Sequence, residues 1–115
     1  ARIGATPVFV DIDPATSTID PEAAARAITA KTKAIIPVDI FGHPAEMTAL
    51  LALAAERGLS VIQDAAQSFG AADNGAVVGT QADVVTFSFF PTKNFPAIGD
   101  GGPAVRIRAE RSRQA

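Results

Sequence analysis

The stretch Pro44-Ala45-Glu46-Met47-Thr48-Ala49-Leu50-Leu51-Ala52-Leu53-Ala54-Ala55-Glu56-Arg57-Gly58-Leu59-Ser60-Val61-Ile62-Gln63-Asp64 decides how the rest of the chain is read. Met47, Leu50, Leu51 and Ala54 recur at helical spacing, and Gly58 supplies the left-handed residue at which a helix stops. Just beyond it, 60–64 is a short apolar run ending in an acid. A helix over 44–57 that hands the chain to a buried strand is half of a β-α-β unit.

Three more runs share the form of 60–64. Ala34-Ile35-Ile36-Pro37-Val38-Asp39 and Pro7-Val8-Phe9-Val10-Asp11 lie upstream and also end in Asp; Asp83-Val84-Val85-Thr86-Phe87-Ser88-Phe89 lies downstream and ends in polar and aromatic residues. Near-continuous apolarity predicts parallel strands buried on both faces. Between the first two runs, Asp20-Pro21-Glu22 reads as an N-cap, a first-turn proline and an acidic first turn, opening a helix through the Ala-rich 23–30. Strand, helix, strand, helix, strand predicts right-handed crossovers and a three-layer αβα, mainly parallel α/β sheet. Ligands of such sheets sit beyond the carboxyl ends of the strands, where Asp39, Asp64 and Ser88 fall.

The chain has 115 residues, 48% of them hydrophobic, with no Cys and one His. No disulfide framework or thiolate metal site is available, and no apolar run is long enough to span a bilayer. Residues 1–105 hold six basic and eleven acidic side chains, whereas 106–115 hold four Arg and one Glu. An acidic body argues against a nucleic-acid partner, and the basic tail reads as a solvated helix end or ragged terminus. The chain begins at Ala1, directly before a strand signal. No internal repeat or second domain is visible.

After Ser88 the chain changes character: 90–102 carries two Pro and three Gly with no helical or strand period. A punctuated loop at the ligand edge is where chemistry is usually housed. It contains Lys93, and a lysine in a partly apolar loop can lose its proton and attack a carbonyl to form a Schiff base. Phe87, Phe89, Phe90 and Phe95 stand close enough in sequence to desolvate such an amine; judged alone, Lys93 would be a solvated surface residue. Asp64 on its own reads as the N-cap of a following helix. Asp11 and Asp13 read as a turn, because the glycine and glutamate of a calcium loop are missing. His43 has no second metal ligand near it, so a polar loop or capping role is expected and no metal site. No dinucleotide-binding glycine pattern follows the first strand, and no Walker loop is present.

Taken together, Val61-Ile62-Gln63-Asp64-Ala65-Ala66-Gln67-Ser68-Phe69-Gly70-Ala71, then Ser88-Phe89-Phe90-Pro91-Thr92-Lys93-Asn94, then Gly99-Asp100-Gly101-Gly102 resemble the DegT/StrS family of pyridoxal-phosphate-dependent sugar aminotransferases. Gly4-Ala5-Thr6-Pro7-Val8-Phe9-Val10-Asp11-Ile12-Asp13 and Thr32-Lys33-Ala34-Ile35-Ile36-Pro37-Val38 extend the likeness upstream, so it covers about 1–105. The resemblance implies the large domain of a fold-type-I transferase that binds pyridoxal 5'-phosphate. It implies that Lys93 holds the cofactor covalently and later acts as the base, that Asp64 pairs with the pyridine nitrogen, that Gln67 bonds near the ring hydroxyl and that Ser88 donates to the phosphate. The implied reaction moves an amino group from an amino donor, glutamate, to a keto sugar nucleotide. A cytoplasmic homodimer with no membrane partner is implied for a full-length parent.

Two departures accompany the likeness: Gln63 stands where the family usually has Glu, and Pro96 where it usually has Gly. Pro96 is expected to re-aim the loop after Lys93. Beyond 105 the resemblance is lost, and 106–115 reads as a divergent basic tail. Family members are much longer, so the chain looks like an internal slice of the large domain, lacking its front and the small domain. Alone it is expected to be inactive, because the family's substrate pocket requires the small domain and groups from a second subunit, and poorly folded or aggregation-prone, because the strand at 7–11 loses its usual neighbour. Two other readings stand beside this one: a cofactor-dependent dehydratase or regulatory homologue, and a non-catalytic α/β binding module. Lys93 argues against the dehydratase, whose branch of the family tends to carry His there.

Overall fold

The structure, a computed structural model, describes residues 3–99 and 101–106. Helix α1 (Pro21–Ala27) opens where the sequence predicts, with Asp20 Oδ1 accepting from the Glu22 amide at 2.8 Å. It ends short of residue 30 because the Thr29 amide donates to Thr32 Oγ1 at 2.9 Å instead of to a helical carbonyl. Strand β1 (Ala34–Ile35) follows. Helix α2 (Met47–Arg57) turns its buried Met47, Leu50 and Ala54 inward and stops at Gly58, whose φ of 65° lets its amide reach the Ala54 and Ala55 carbonyls. Its start lies at Met47 and not at 44, since the Ala45 amide is drawn aside to Asp39 Oδ1 at 3.0 Å.

Strand β2 (Ser60–Asp64) comes next, then a small antiparallel hairpin of β3 (Ala72–Asp73) and β4 (Ala76–Val77). Asn74 and Gly75, both with positive φ, make its two-residue turn. Strands β5 (Val84–Thr86) and β6 (Ala104–Arg106) complete a four-stranded sheet in the order β1-β2-β5-β6. The first three are parallel, with Ala34 opposite Ser60 and Asp64 opposite Thr86, and β6 is antiparallel. The expected run 34–39 is interrupted at Pro37, which has no amide to give, yet pairing resumes past it. The Asp64 amide donates to the Pro37 carbonyl at 2.9 Å, and the Asp39 amide to the Asp64 carbonyl at 3.0 Å. Likewise the 83–89 run stays hydrogen-bonded beyond Thr86, from Phe87 to Pro103 and from Phe89 to Gly101.

Helix α2 packs on one face of the sheet, and α1 packs against α2. Ala24, Ile35, Met47, Leu50, Ala54, Leu59 and Val61 form one cluster there. Ala65, Val78 and Val85 form a second, backed by Phe87. On the other face Ile36 and Val38 remain 58% and 40% exposed. Among the described residues, then, two of the three expected layers are built.

The strand expected over 7–11 does not form. Val8 and Phe9 are 71% and 91% exposed, and the only pairing nearby among the described residues is an isolated bridge from Ile12 to Ile19. Apolar, β-branched sequence makes a strand only when a neighbour supplies its hydrogen bonds, and none of the described residues does so here. Asp13 makes the expected turn, its Oδ1 accepting from the Ala15 amide at 2.8 Å. Of the basic tail, Arg106 closes β6; the remainder lies outside the described residues.

Candidate functional site

Parallel pairing sets the carboxyl ends of β2 and β5 side by side, so Asp64 lies opposite Thr86 with Ser88 two residues further on. The Ala65 amide extends this register, donating to the Thr86 carbonyl at 2.8 Å. From Ala65 the chain turns tightly instead of entering a helix, with the Ser68 amide bonding Ala65 and the Ala71 amide bonding Ser68. Asp64 therefore caps no helix; its Oδ1 accepts from the Ala66 amide at 3.1 Å, an Asx turn.

Lys93 sits in the turn after Ser88, its amide donating to the Phe90 carbonyl at 2.8 Å. Four rings hold this turn against the loop that follows Asp64. Phe69 meets Phe87 edge-on at 5.2 Å and Phe95 at 5.3 Å, and Phe89 meets Phe95 at 5.6 Å. Phe69 takes the place expected for Phe90, which is 45% exposed and outside the cluster. Glycine makes the approach possible: a Cβ on Gly102 would collide with the Phe87 carbonyl, immediately before Ser88.

Each of the four expected residues keeps one side-chain group unused. Gln67 Oε1 accepts from the Phe41 amide at 3.1 Å, which leaves its side-chain NH2 free to donate. Ser88 Oγ accepts from the Phe90 amide at 3.3 Å, leaving its hydroxyl proton free. Asp64 Oδ2 and Lys93 Nζ have no partner among the described residues. No unpaired side-chain nitrogen or oxygen of these residues is buried, so the unused groups face accessible space. Two acceptors or bases and two donors are thus available along one edge.

Behind that edge lies a buried network that the sequence reading missed. Asp39, Gln63 and Ser68 are 0%, 2% and 0% exposed. Asp39 Oδ1 accepts from Ala45, and Oδ2 accepts from Gln63 Nε2 at 2.9 Å and Ser68 Oγ at 2.8 Å. Gln63 Oε1 in turn accepts from the Gly79 amide at 3.2 Å. Burial pushes the Asp39 carboxyl above its usual 3.8; the three hydrogen bonds oppose the rise, and the Asp64 charge adds to it. The available signal was that Asp39, like Asp64, ends an apolar run.

His43 stays exposed in a loop, its amide bonded to Ile40. Among the described residues no three His, Cys, Asp or Glu gather as a metal site, and no helix is long and apolar enough to cross a membrane. A cavity lined by Ile28, Thr29, Ala30, Thr32, Arg57 and Leu59 lies at the amino ends of β1 and β2, the wrong end of the sheet for these groups.

The model of the DegT/DnrJ/EryC1/StrS aminotransferase family matches residues 1–112. A protein of Geobacillus stearothermophilus described as a pleiotropic regulatory protein is 58% identical over 102 residues, 89% of this chain and 27% of its own length. The UDP-N-acetyl-3-dehydro-alpha-D-glucosamine 3-aminotransferase of Acidithiobacillus ferrooxidans is 50% identical over 97% of this chain and 30% of its own. Among solved structures, S. venezuelae DesV superposes with a TM-score of 0.87 at 46% identity, covering 90% of this chain and 28% of DesV. NtdA of Bacillus subtilis, with bound cofactor PMP, gives 0.83 at 40% identity over 93% of this chain and 23% of NtdA. The chain thus spans under a third of the length of these relatives.

Proposed function

The chain belongs to the DegT/DnrJ/EryC1/StrS aminotransferase family, and on that premise we propose that it is part of the large domain of a pyridoxal-phosphate-dependent transaminase acting on a keto sugar nucleotide. In this proposal 1–105 is the cofactor-binding part, and the rest of the large domain and a small domain belong to a longer parent. That parent works as a cytoplasmic homodimer with glutamate as amino donor and with no nucleic-acid or membrane partner. The observation that carries the reading is the set of unused groups at the edge: a carboxylate oxygen, an amide NH2, a hydroxyl and an amine.

These groups fit the cofactor's chemistry. When bound, pyridoxal phosphate supplies an electrophilic carbonyl and a conjugated ring that draws charge from the amino donor's carbon. Asp64 Oδ2, an acceptor held in place through Oδ1, keeps a proton on the pyridine nitrogen. Gln67 donates its free NH2 to the ring hydroxyl, its orientation fixed by the Phe41 amide. Ser88 would donate a hydrogen bond from its hydroxyl to a phosphate oxygen. Lys93 Nζ would hold the carbonyl carbon covalently, its nitrogen replacing the carbonyl oxygen, which leaves as water; once displaced by the donor amine, it would take and return the proton that moves during transfer.

The test uses the full-length parent. A visible absorption band should appear with pyridoxal phosphate and be lost in Lys93→Ala, together with transfer of the amino group from glutamate to a keto sugar nucleotide. Transamination retained by Lys93→Ala would end the proposal. A second reading, a regulator that binds the cofactor without turnover, is favoured by the description of the Geobacillus relative. It predicts the same band and no amino-group transfer.

A further inference from the structure

The buried Asp39 network is tied to the candidate site at three points. The Asp39 amide holds the Asp64 carbonyl, its Oδ2 holds Ser68, and Phe41, two residues on, holds Gln67. Gln67 and Ser68 are neighbours, so the turn after Asp64 is gripped from the buried side by Asp39 and from the open side by the Phe41 amide. The direction of every bond is fixed. Gly79 can only donate, so Gln63 must present Oε1 to it and Nε2 to Asp39; Ala45 can only donate, so Asp39 Oδ1 must accept. Asp39 is a three-way acceptor, and an uncharged donor is required opposite it at 63.

We propose that Asp39 is a positioning residue for the candidate site: by accepting from Ala45, Gln63 and Ser68 it fixes the 65–68 turn and, through it, where Asp64 and Gln67 present their free groups. This rests on the functional reading above for its meaning, but the clamp has a signature of its own. Asp39→Asn places an NH2 against either Ala45 or Gln63, so one donor always faces another. Adding Gln63→Glu reverses the pair: the new carboxylate accepts from Gly79 and from the introduced amide, whose oxygen accepts from Ala45, while Ser68 accepts the remaining amide proton. One buried negative charge is kept and every group regains a partner except the Ser68 hydroxyl proton, which loses the acceptor it has in Asp39 Oδ2.

The experiment is this swap in the full-length parent, read by pyridoxal-phosphate affinity, by the visible band of the bound cofactor, and by hydrogen exchange of the Ala66 and Ser68 amides without cofactor. Asp39→Asn should weaken cofactor binding about tenfold or more, shift the band and speed exchange in the turn. The double variant should recover most of the loss in all three, short of the wild type by the one acceptor that the Ser68 hydroxyl loses. Where Asp39→Asn alone fails to fold, a double variant that folds and binds supports the clamp just as well. Cofactor binding and band unchanged in Asp39→Asn, or a double variant that recovers neither binding nor slow exchange, would overturn the proposal. Failure of the wild-type parent to show any band counts against the functional reading alone, since the exchange arm still scores the clamp.

Discussion

Asp39 and Asp64 stand back to back across two neighbouring chain segments: the Asp39 amide donates to the Asp64 carbonyl at 3.0 Å, while one carboxylate is wholly buried and the other only half-buried. Val38 is bridged to Asp64 and shares its face, so Asp39, one residue on, points to the helix-covered side. The same acid at two strand ends thus has two different environments, a buried acceptor on one side and an accessible oxygen on the other.

A pH dependence follows. Burial raises the Asp39 carboxyl above 3.8 in the folded protein, so the folded state holds that proton to higher pH than the unfolded chain does. Its contribution to stability is greatest below 3.8 and is lost as pH rises through the raised value. The thermal midpoint of the wild-type parent should therefore fall relative to that of Asp39→Asn as pH rises across the window above 3.8. Parallel profiles would contradict this.

Gly102→Ala should destabilise the parent by about 1–3 kcal/mol, because its Cβ would displace the Phe87 carbonyl and with it Ser88. Urea unfolding measures the loss, and cofactor affinity should fall with it. A variant as stable as the wild type would show that the segment before β6 can move aside.

Phe41 adopts φ 56° although it is not glycine, and its ring is 84% exposed. Replacing it by glycine relieves backbone strain at little packing cost, so Phe41→Gly should leave stability unchanged or raise it by about 1 kcal/mol in urea unfolding. A clear loss of stability would mean that the ring is covered in the parent.

The 115-residue chain alone leaves Ile3, Phe9 and Phe41 more than 80% exposed and, among its described residues, one sheet face uncovered. It should bind a hydrophobic dye and self-associate on sizing, without a cooperative thermal transition. A monomer with a two-state melt would refute this.

Much of this architecture was legible because its signals are local. The period of Met47, Leu50 and Ala54 with the Gly58 stop, and the apolar runs at 34–39, 60–64 and 83–89, each need only a few adjacent residues to be read. The run at 7–11 looks the same in sequence and forms no strand, since pairing depends on a neighbour that apolarity cannot reveal. The Asp39 network was invisible for a related reason: its partners, Gln63 and Ser68, lie 24 and 29 residues away. The edge positions of Asp64 and Ser88 were readable from strand ends, whereas the seating of the Lys93 turn against Phe69 required the fold.

The most direct measurement is to reduce the full-length parent with borohydride in the presence of pyridoxal phosphate and map the modified peptide by mass spectrometry. The account predicts one stoichiometric label, on Lys93, which is absent from Lys93→Ala. A label on Lys31 or Lys33 with Lys93 untouched, or no stable label, would contradict it.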